Sequence, residues 1–382
     1  MSEGKTAAAD GIAAAMAAVD PAADDRFMRL ALSLGRRGLG NTWPNPAVGA
    51  VVVKDGVILG RGWTQPGGRP HAETEALKQA GRAARGATLY ATLEPCSHHG
   101  KTPPCTDAII RAGIARVVSA LDDPNPEVAG QGIARLRERG IPVDTGLGAE
   151  AARRAHIGHI TRMTLNRPHV MLKLALSADD KVGAAGRRPV AITGPVSRER
   201  VFQMRAMSDA ILVGIGTVLS DDPALTCRLP GMMEFSPVRV LLDARLRVPI
   251  ASGVVGTANE TPTWIFGDAK ASAMAEEVLR AKGAQVFRVD ASDGRLDLSQ
   301  VLQVLAGRGI TRLMVEGGPT VAASFARDDL IDEVVLLRAP LRIGADGIDA
   351  LDKLPMSALT ANLRQAETET LGADTLERYE RP

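Results

Sequence analysis

Short apolar stretches alternate with amphipathic ones along most of this chain, in two successive runs. In the first run, strand-like residues 48–53 and 57–62 flank Asp55-Gly56, a pair typical of a tight hairpin turn. The second run follows Arg167-Pro168, where the proline disfavours helix in the residue before it. Strands that alternate with helices predict an α/β layered sheet, and 382 residues exceed what one core comfortably serves. We therefore expect two α/β domains.

The same patterns predict where the domains begin and end. We expect a flexible tail at residues 1–24, a first domain at 25–148, a linker helix at 149–167 and a second domain at 168–382. The Ala-rich first residues carry neither a signal nor a transit pattern. His156 and His159, on the linker helix, are expected to be solvated.

Composition excludes several classes of protein. Lys and Arg (46) nearly balance Asp and Glu (44), without blocks of like charge, and aromatic residues make up only 3%, so no nucleic-acid partner is expected. The longest apolar runs, such as residues 210–219, are far too short to span a membrane. Three cysteines cannot form a disulfide framework, and their odd number favours a reducing compartment. We expect a cytoplasmic protein.

His71, Cys96 and Cys105 provide one imidazole and two thiolates, the mixed donor set that zinc prefers. A structural zinc site normally has four protein ligands, whereas three leave a position for water, which is the catalytic arrangement. Glu73 lies two residues after His71 at the start of a predicted helix, where its carboxylate can move protons. His-x-Glu is the first half of the zinc deaminase signature, but the two cysteines lie farther apart than in its second half, Pro-Cys-x-x-Cys.

Two other classes remain open from these residues. A deaminase of RNA or DNA bases would use the same metal chemistry, although the charge balance and the scarcity of aromatic residues argue against it. A non-catalytic, zinc-stabilised binding protein would normally have a fourth ligand and would not need Glu73.

The second domain has a weaker nucleotide signal. In residues 213–219 (VGIGTVL) the third glycine of the Rossmann fingerprint falls on Leu219, so that fingerprint fails. Residues 316–320 (EGGPT) end a strand and open a helix, which can hold a phosphate or simply reverse the chain. Arg205 and Arg228 are candidates for binding an anionic phosphate, and solvated surface charge is the alternative.

Longer motifs resemble one known family. Residues 92–105 (TLEPCSHHGKTPPC), 44–49 (PNPAVG) and 122–126 (DDPNP) resemble the deaminase half of the bifunctional riboflavin-biosynthesis deaminase/reductases. Residues 173–177 (KLALS), 221–226 (DDPALT) and 315–320 (VEGGPT) resemble the reductase half. The wide cysteine spacing is normal in that family.

The resemblance implies a cytidine-deaminase-like αβα layered domain followed by a dihydrofolate-reductase-like α/β domain. It implies zinc-dependent hydrolytic deamination of 2,5-diamino-6-(5-phosphoribosylamino)pyrimidin-4-one, then reduction of its ribosyl group to ribityl by NADPH. One zinc ion per chain and a homo-oligomer are also expected. An enzyme active only in the first step, with an impaired reductase half, is the alternative.

The resemblance also implies roles for individual residues. His98 and His99 would lie on a substrate loop. The substrates would contact Asn45 and Lys101 in the first domain and Arg205, Leu225, Arg228 and Glu316 in the second. NADPH would contact Ala175, Thr217, Asp221, Gly318, Pro319, Thr320, Val321, Ala322, Ala323 and Ser324.

The chain departs from the family pattern at three positions of the second domain. Pro189 and Ala191 replace a serine and a tryptophan that ordinarily contact substrate and cofactor, and Ala244 replaces a serine near the cofactor. Arg245 is a candidate for binding the 2′-phosphate of NADPH, and Cys227 has no assigned role. These departures leave the activity of the reductase half open.

Overall fold

The computed structural model describes residues 20–100, 102–125, 128–187 and 190–382. The chain divides into two compact units between Leu165 and Asn166. The stretch predicted to be a linker helix therefore belongs almost entirely to the first unit. In the described part of the chain, no helix combines the length and the apolar character that crossing a membrane requires.

The first unit is built on a five-stranded sheet of order β2-β1-β3-β4-β5. β1 pairs antiparallel with β2 and β3, whereas β3, β4 and β5 run parallel. The strands are β1 (Gly49–Lys54), β2 (Val57–Trp63), β3 (Thr88–Ala91), β4 (Arg116–Ser119) and β5 (Val143–Thr145). The helices are α1 (Pro21–Gly35), α2 (Ala72–Ala80), α3 (Cys105–Ala112), α4 (Gln131–Glu138), α5 (Ala149–Ala155) and α6 (Ile157–Leu165).

Apolar side chains on both faces of this sheet pack against helices. Successive residues of a strand point to opposite faces, so Ala50 and Val52 join the core under α2, α3 and α4, while Val51 and Val53 join the core under α1 and α5. The layers are helix, sheet, helix, and the predicted αβα domain is confirmed.

The first helix starts inside the predicted tail. Asp20 caps α1 by accepting the N–H of Ala22 at 3.0 Å. Asp24, one turn later, is buried and receives two hydrogen bonds from Arg116 (3.0 and 2.8 Å) and one from the Tyr90 hydroxyl. The expected flexible tail is therefore wrong for residues 21–24, because a buried ion pair fixes them; residues 1–19 lie outside the described residues.

The two histidines that were expected to be solvated are buried. His156 lies between α5 and α6 and is 2% exposed, and its Nε2 is 3.0 Å from the Thr92 hydroxyl. His159 is 9% exposed, and its Nε2 is 3.6 Å from the carboxylate of Asp123. The prediction was wrong because α5 and α6 pack on the first unit instead of crossing solvent.

The second unit is built on a nine-stranded sheet of order β11-β10-β9-β8-β14-β6-β15-β18-β17. It is parallel from β11 to β15, and the two strands at the other edge are antiparallel. Its strands are β6 (His169–Leu176), β8 (Ala210–Gly214), β9 (Val238–Leu242), β10 (Thr263–Asp268), β11 (Gln285–Val289), β14 (Arg312–Val315), β15 (Glu333–Arg338), β17 (Arg364–Leu371) and β18 (Asp374–Glu380). Two short antiparallel pairs join β7 (Lys181–Gly183) to β16 (Ile348–Asp349) and β12 (Ala291–Ser292) to β13 (Arg295–Leu296).

Helices connect the parallel strands, as the alternating pattern predicted. They are α7 (Pro195–Ala206), α8 (Ile215–Asp221), α9 (Gly253–Gly256), α10 (Ala273–Ala281), α11 (Leu298–Gly307) and α12 (Pro319–Arg327). The apolar run at residues 210–219 does not form a single element, because the strand ends at Gly214 and α8 follows. The hairpin of β17 and β18 was not predicted, because β17 is mostly exposed and shows no apolar alternation.

Candidate active sites

Three elements of the first unit bring the metal-ligating candidates together. His71 is the N-cap residue of α2, Cys105 is the first residue of α3, and Cys96 lies in the loop after β3. The His71 Nδ1 is 3.3 Å from the Cys105 Sγ and 3.6 Å from the Cys96 Sγ. All three donor atoms lie within 4.8 Å of one another, and in the described part of the chain this is the one such group.

The chemistry of these donors fits a zinc ion. The Cys96 sulfur accepts a hydrogen bond from the Cys105 backbone at 3.3 Å. Hydrogen bonding from the Cys105 thiol, helped by His71, lowers the pKa of Cys96 to about 4 against the cost of burial. The thiolate is the form that binds metals, so this hydrogen bond favours the binding form of Cys96. The same hydrogen bond, together with burial, raises the pKa of Cys105.

Glu73 is a buried carboxylate beside this cluster. It lies in the first turn of α2, two residues after His71, and is 3% exposed. Its Oε2 has no hydrogen-bond partner, and burial raises its pKa above the usual range of a glutamate. A buried carboxyl with one free oxygen and a raised pKa is suited to taking up and releasing a proton.

Of the two substrate residues predicted in this unit, the structure describes one. The Asn45 amide donates to the Gly68 carbonyl at 2.7 Å and lies 3.5 Å from the His71 Nε2, so it adjoins the cluster. Lys101 lies outside the described residues. His98 and His99 are exposed on the loop between the two cysteines.

Sequence reasoning missed Glu94, which is buried two residues before Cys96. Its Oε2 accepts the N–H groups of Asp123 (3.0 Å) and Gly130 (2.9 Å). Its Oε1 accepts those of Gly132 (2.7 Å) and Ile133 (3.2 Å). One carboxylate thus ties the cysteine loop to the 123–133 segment. The only sequence signal was its place inside the 92–105 motif.

The second unit contains a cavity of about 1850 Å³ at the carboxyl ends of its parallel strands. Ala175 of β6, Gly214 of β8 and Leu242 of β9 line it, and Glu316 follows β14. Open α/β sheets bind ligands at this edge. The cavity-lining residues that were predicted to bind the cofactor are Ala175, Thr217, Asp221, Gly318, Pro319, Thr320, Val321 and Ser324.

Ala322 and Ala323 do not line this cavity, although they were predicted to contact the cofactor. Both are buried within α12, at 0% and 1% exposure, so their side chains serve the core. Ala244 and Arg245 do line the cavity. Ala191 is exposed and is not among the lining residues, and Pro189 lies outside the described residues.

Gly214, at the end of β8, and Gly317, before α12, leave room for the side chain of Val321. A Cβ at Gly317 would lie 2.6 Å from the Cβ of Val321, and one at Gly214 would lie 2.7 Å from a methyl of the same valine. A side chain at Gly214 would push α12 away from β8, and one at Gly317 would distort the turn into α12. The glycines therefore keep the N-terminus of α12 against the cavity.

Arg205, a predicted phosphate ligand, is paired with a carboxylate in this structure and is not among the cavity-lining residues. Its guanidinium makes a bidentate pair with Glu316 (2.8 and 2.9 Å) and donates to the Thr226 carbonyl at 3.0 Å. The Lys173 Nζ lies 3.2 Å from the same carboxylate. Burial alone would raise the pKa of Glu316, but Lys173 and Arg205 together lower it to about 2. Sequence reasoning gave Lys173 no role, yet it lines the cavity.

The other two predicted substrate residues are not among the residues that line the cavity. Leu225 is buried in the core beside β8 and β9. Arg228 is exposed, with its guanidinium carbon 5.0 Å from the centre of the Phe202 ring. The spacing of these residues in the sequence did not indicate that Leu225 is a core residue or that Arg228 contacts an aromatic ring.

Comparison with known proteins agrees with this two-unit arrangement. The model of the cytidine and deoxycytidylate deaminase zinc-binding region matches residues 21–121, and that of the RibD C-terminal domain matches residues 168–376. The riboflavin biosynthesis protein RibD of Aquifex aeolicus is 43% identical over 92% of this chain and 96% of its own length. The RibD protein of Escherichia coli K12 is 40% identical over 92% of this chain and 97% of its own length.

Solved structures lead to the same family. Acinetobacter baumannii RibD matches with a TM-score of 0.85 and 33% identity, covering 95% of this chain and 100% of that one. A Thermotoga maritima diaminohydroxyphosphoribosylaminopyrimidine deaminase/5-amino-6-(5-phosphoribosylamino)uracil reductase matches with a TM-score of 0.82 and 35% identity, covering 94% and 99%. Since these likenesses run through both units, the chain belongs to the RibD family, the bifunctional deaminase/reductases of riboflavin biosynthesis.

Proposed function

We propose that each unit of this chain performs one of the two activities of its family. The first unit hydrolyses the amino group from 2,5-diamino-6-(5-phosphoribosylamino)pyrimidin-4-one, and the second reduces the ribosyl group of the product to ribityl with NADPH. The convergence of His71, Cys96 and Cys105 beside a buried Glu73 is the observation that carries the proposal.

In the deaminase site, His71, Cys96 and Cys105 would hold the zinc ion. When bound there, zinc supplies the acidification of water that hydrolysis at neutral pH requires. Glu73 takes a proton from the attacking water and delivers protons to the ring nitrogen and the departing amine, so that water and the aminopyrimidine yield a carbonyl and ammonia. Asn45, held by the Gly68 carbonyl, orients the pyrimidine.

In the reductase site, NADPH supplies the hydride. Its pyrophosphate would lie at the start of α12, where backbone N–H groups and the helix dipole favour an anion. Arg245, on the cavity wall, would bind the 2′-phosphate. Ala191 and Pro189 depart from the family pattern, so the activity of this half has to be measured. The test is NADPH oxidation with the deaminated intermediate as substrate. The absence of oxidation would establish the one-step alternative.

Replacing Glu73 by Gln tests the deaminase assignment. General acid–base catalysis contributes at least about 100-fold, so ammonia release should fall by that factor or more while bound zinc is retained. Glu75→Gln, two residues further along α2, is the matched control and should keep full activity. Unchanged ammonia release in Glu73→Gln with zinc bound would contradict the role of Glu73.

Three broader properties are also proposed. We infer cytoplasmic residence, supported by three cysteines that are all unpaired in the structure. We also expect a homo-oligomer and no nucleic-acid partner. Light scattering of the purified protein checks the first of these, and an RNA gel shift at physiological salt checks the second.

A further inference from the structure

Arg69 places a positive charge at the deaminase site that is not paired with a described carboxylate. Its partner in the structure is the neutral hydroxyl of Thr102, to which its guanidinium donates. The side chain is only partly buried. By contrast, Arg135, which contacts the cysteine loop at the Ser97 carbonyl (3.3 Å), is committed to Asp107 at 2.6 Å. Arg69 therefore has donor capacity and charge available for a ligand.

The loop that carries Arg69 is fixed against the site. The Gln65 N–H donates to the Pro70 carbonyl at 3.0 Å, which closes the loop, and Asn45 anchors the Gly68 carbonyl at 2.7 Å. Arg69 follows Gly68 directly and stands two residues before His71. Its backbone position is thus set by the residues that flank the metal site.

The guanidinium reaches across to the loop between the two cysteines. A guanidinium nitrogen lies 3.0 Å from the position that a Cβ on Gly100 would occupy, and Thr102 accepts its hydrogen bond. A side chain at position 100 would therefore crowd the guanidinium. Arg69 and the Thr102 hydroxyl form a pair of donors at the border of the site.

We propose that Arg69 binds the 5-phosphate of the substrate in the deaminase site, an inference that rests on the proposed function. The phosphate is a dianion at the opposite end of the substrate from the amino group that is lost, so its ligand should lie outside the metal cluster. Guanidinium groups bind phosphate oxygens in a bidentate manner, and the Thr102 hydroxyl can donate a further hydrogen bond.

Because the phosphate does not react, Arg69 binds substrate and transition state alike. Loss of such uniform binding raises KM and leaves kcat nearly unchanged. A residue that merely supported the loop would instead affect the metal site and every substrate. This difference separates phosphate binding from a structural role.

The test compares the full-length variants Arg69→Gln and Arg69→Lys with Arg82→Gln, an exposed arginine of the same unit, as control. Ammonia release is measured with the phosphorylated pyrimidine and with its dephosphorylated nucleoside, together with zinc content. For Arg69→Gln we expect a KM for the phosphorylated substrate raised about tenfold or more, an unchanged KM for the nucleoside, and unchanged zinc. Arg69→Lys should recover part of the loss, and inorganic phosphate should inhibit the wild type more strongly than Arg69→Gln.

Two results would overturn the inference: an unchanged KM for the phosphorylated substrate, or equal losses with both substrates, with or without loss of zinc. Failure of the wild type to release ammonia would instead overturn the proposed function on which the inference rests.

Discussion

At the scale of single residues, Glu94 has contacts that reach beyond its own loop. Four backbone N–H groups from the 123–133 segment converge on its two oxygens, and the metal-ligating candidate Cys96 follows two residues later. Gly132 must be a glycine for this packing, since a Cβ there would lie 2.0 Å from the Pro95 carbonyl oxygen. We therefore regard Glu94 as a positioning residue of the deaminase site.

Glu94→Gln should destabilise the first unit by about 2–4 kcal/mol. Whichever way the amide is turned, its NH₂ group faces two of the four N–H donors, so two hydrogen bonds become repulsive contacts. Urea unfolding checks the loss. Glu138→Gln, an exposed change at the end of α4, should leave stability unaltered; equal stability of the two variants would contradict this account of Glu94.

The residues also show what a sequence can and cannot reveal. His71, Glu73, Cys96 and Cys105 could be predicted because metal chemistry restricts the donor types and local spacing restricts their reach. The partner of Arg205 could not be predicted, because Glu316 lies 111 positions away and the sequence does not distinguish a buried arginine from an exposed one.

At the scale of elements, strands with apolar runs were predictable from the sequence. Strands that form only because they pair with a neighbouring strand were not. β6 and β9 are apolar runs that the sequence shows directly, whereas the exposed edge strand β17 has no such run. The start of α1 was missed for a similar reason: the pairing of Asp24 with Arg116 joins positions that no local pattern connects.

The central strand β6 begins with a buried histidine that gives the second unit a pH dependence. Burial lowers the pKa of His169 to about 4, against about 6.5 in an unfolded chain. Between these values the unfolded chain binds a proton that the folded one does not, so stability is fully present above pH 6.5 and falls toward pH 4, by up to about 3 kcal/mol.

His169→Gln should flatten this dependence, because the variant has no imidazole to protonate on unfolding. Urea unfolding at pH 5 and pH 7.5 measures the effect. The exposed His99→Gln serves as control and should behave as the wild type. An equally steep dependence in His169→Gln would show that other groups cause it.

At the scale of the whole molecule, each unit has its own apolar cores and its own candidate site. The division was predictable because Arg167-Pro168 interrupts the pattern close to the observed boundary. The three donor atoms of the metal cluster all come from the first unit, and every residue that lines the 1850 Å³ cavity comes from the second.

Chelation of zinc should therefore separate the two activities. Ammonia release should stop, while NADPH oxidation with the deaminated intermediate should continue at its original rate. Both rates can be followed on one preparation before and after dialysis against a chelator, with zinc added back as the control. A parallel loss of NADPH oxidation would mean that the metal supports the second unit as well.

The cluster of Lys173, Arg205 and Glu316 keeps a fixed positive charge at one place beside the reductase cavity. Two cations and one carboxylate leave one net positive charge, and the pKa of about 2 at Glu316 means that mild acid does not change this sum. The cavity lining as a whole contains more carboxylates than cations, so an anion such as NADPH or a sugar phosphate is favoured near this cluster rather than throughout the cavity. Ionic strength, rather than acidity, should govern how strongly this cluster attracts an anion.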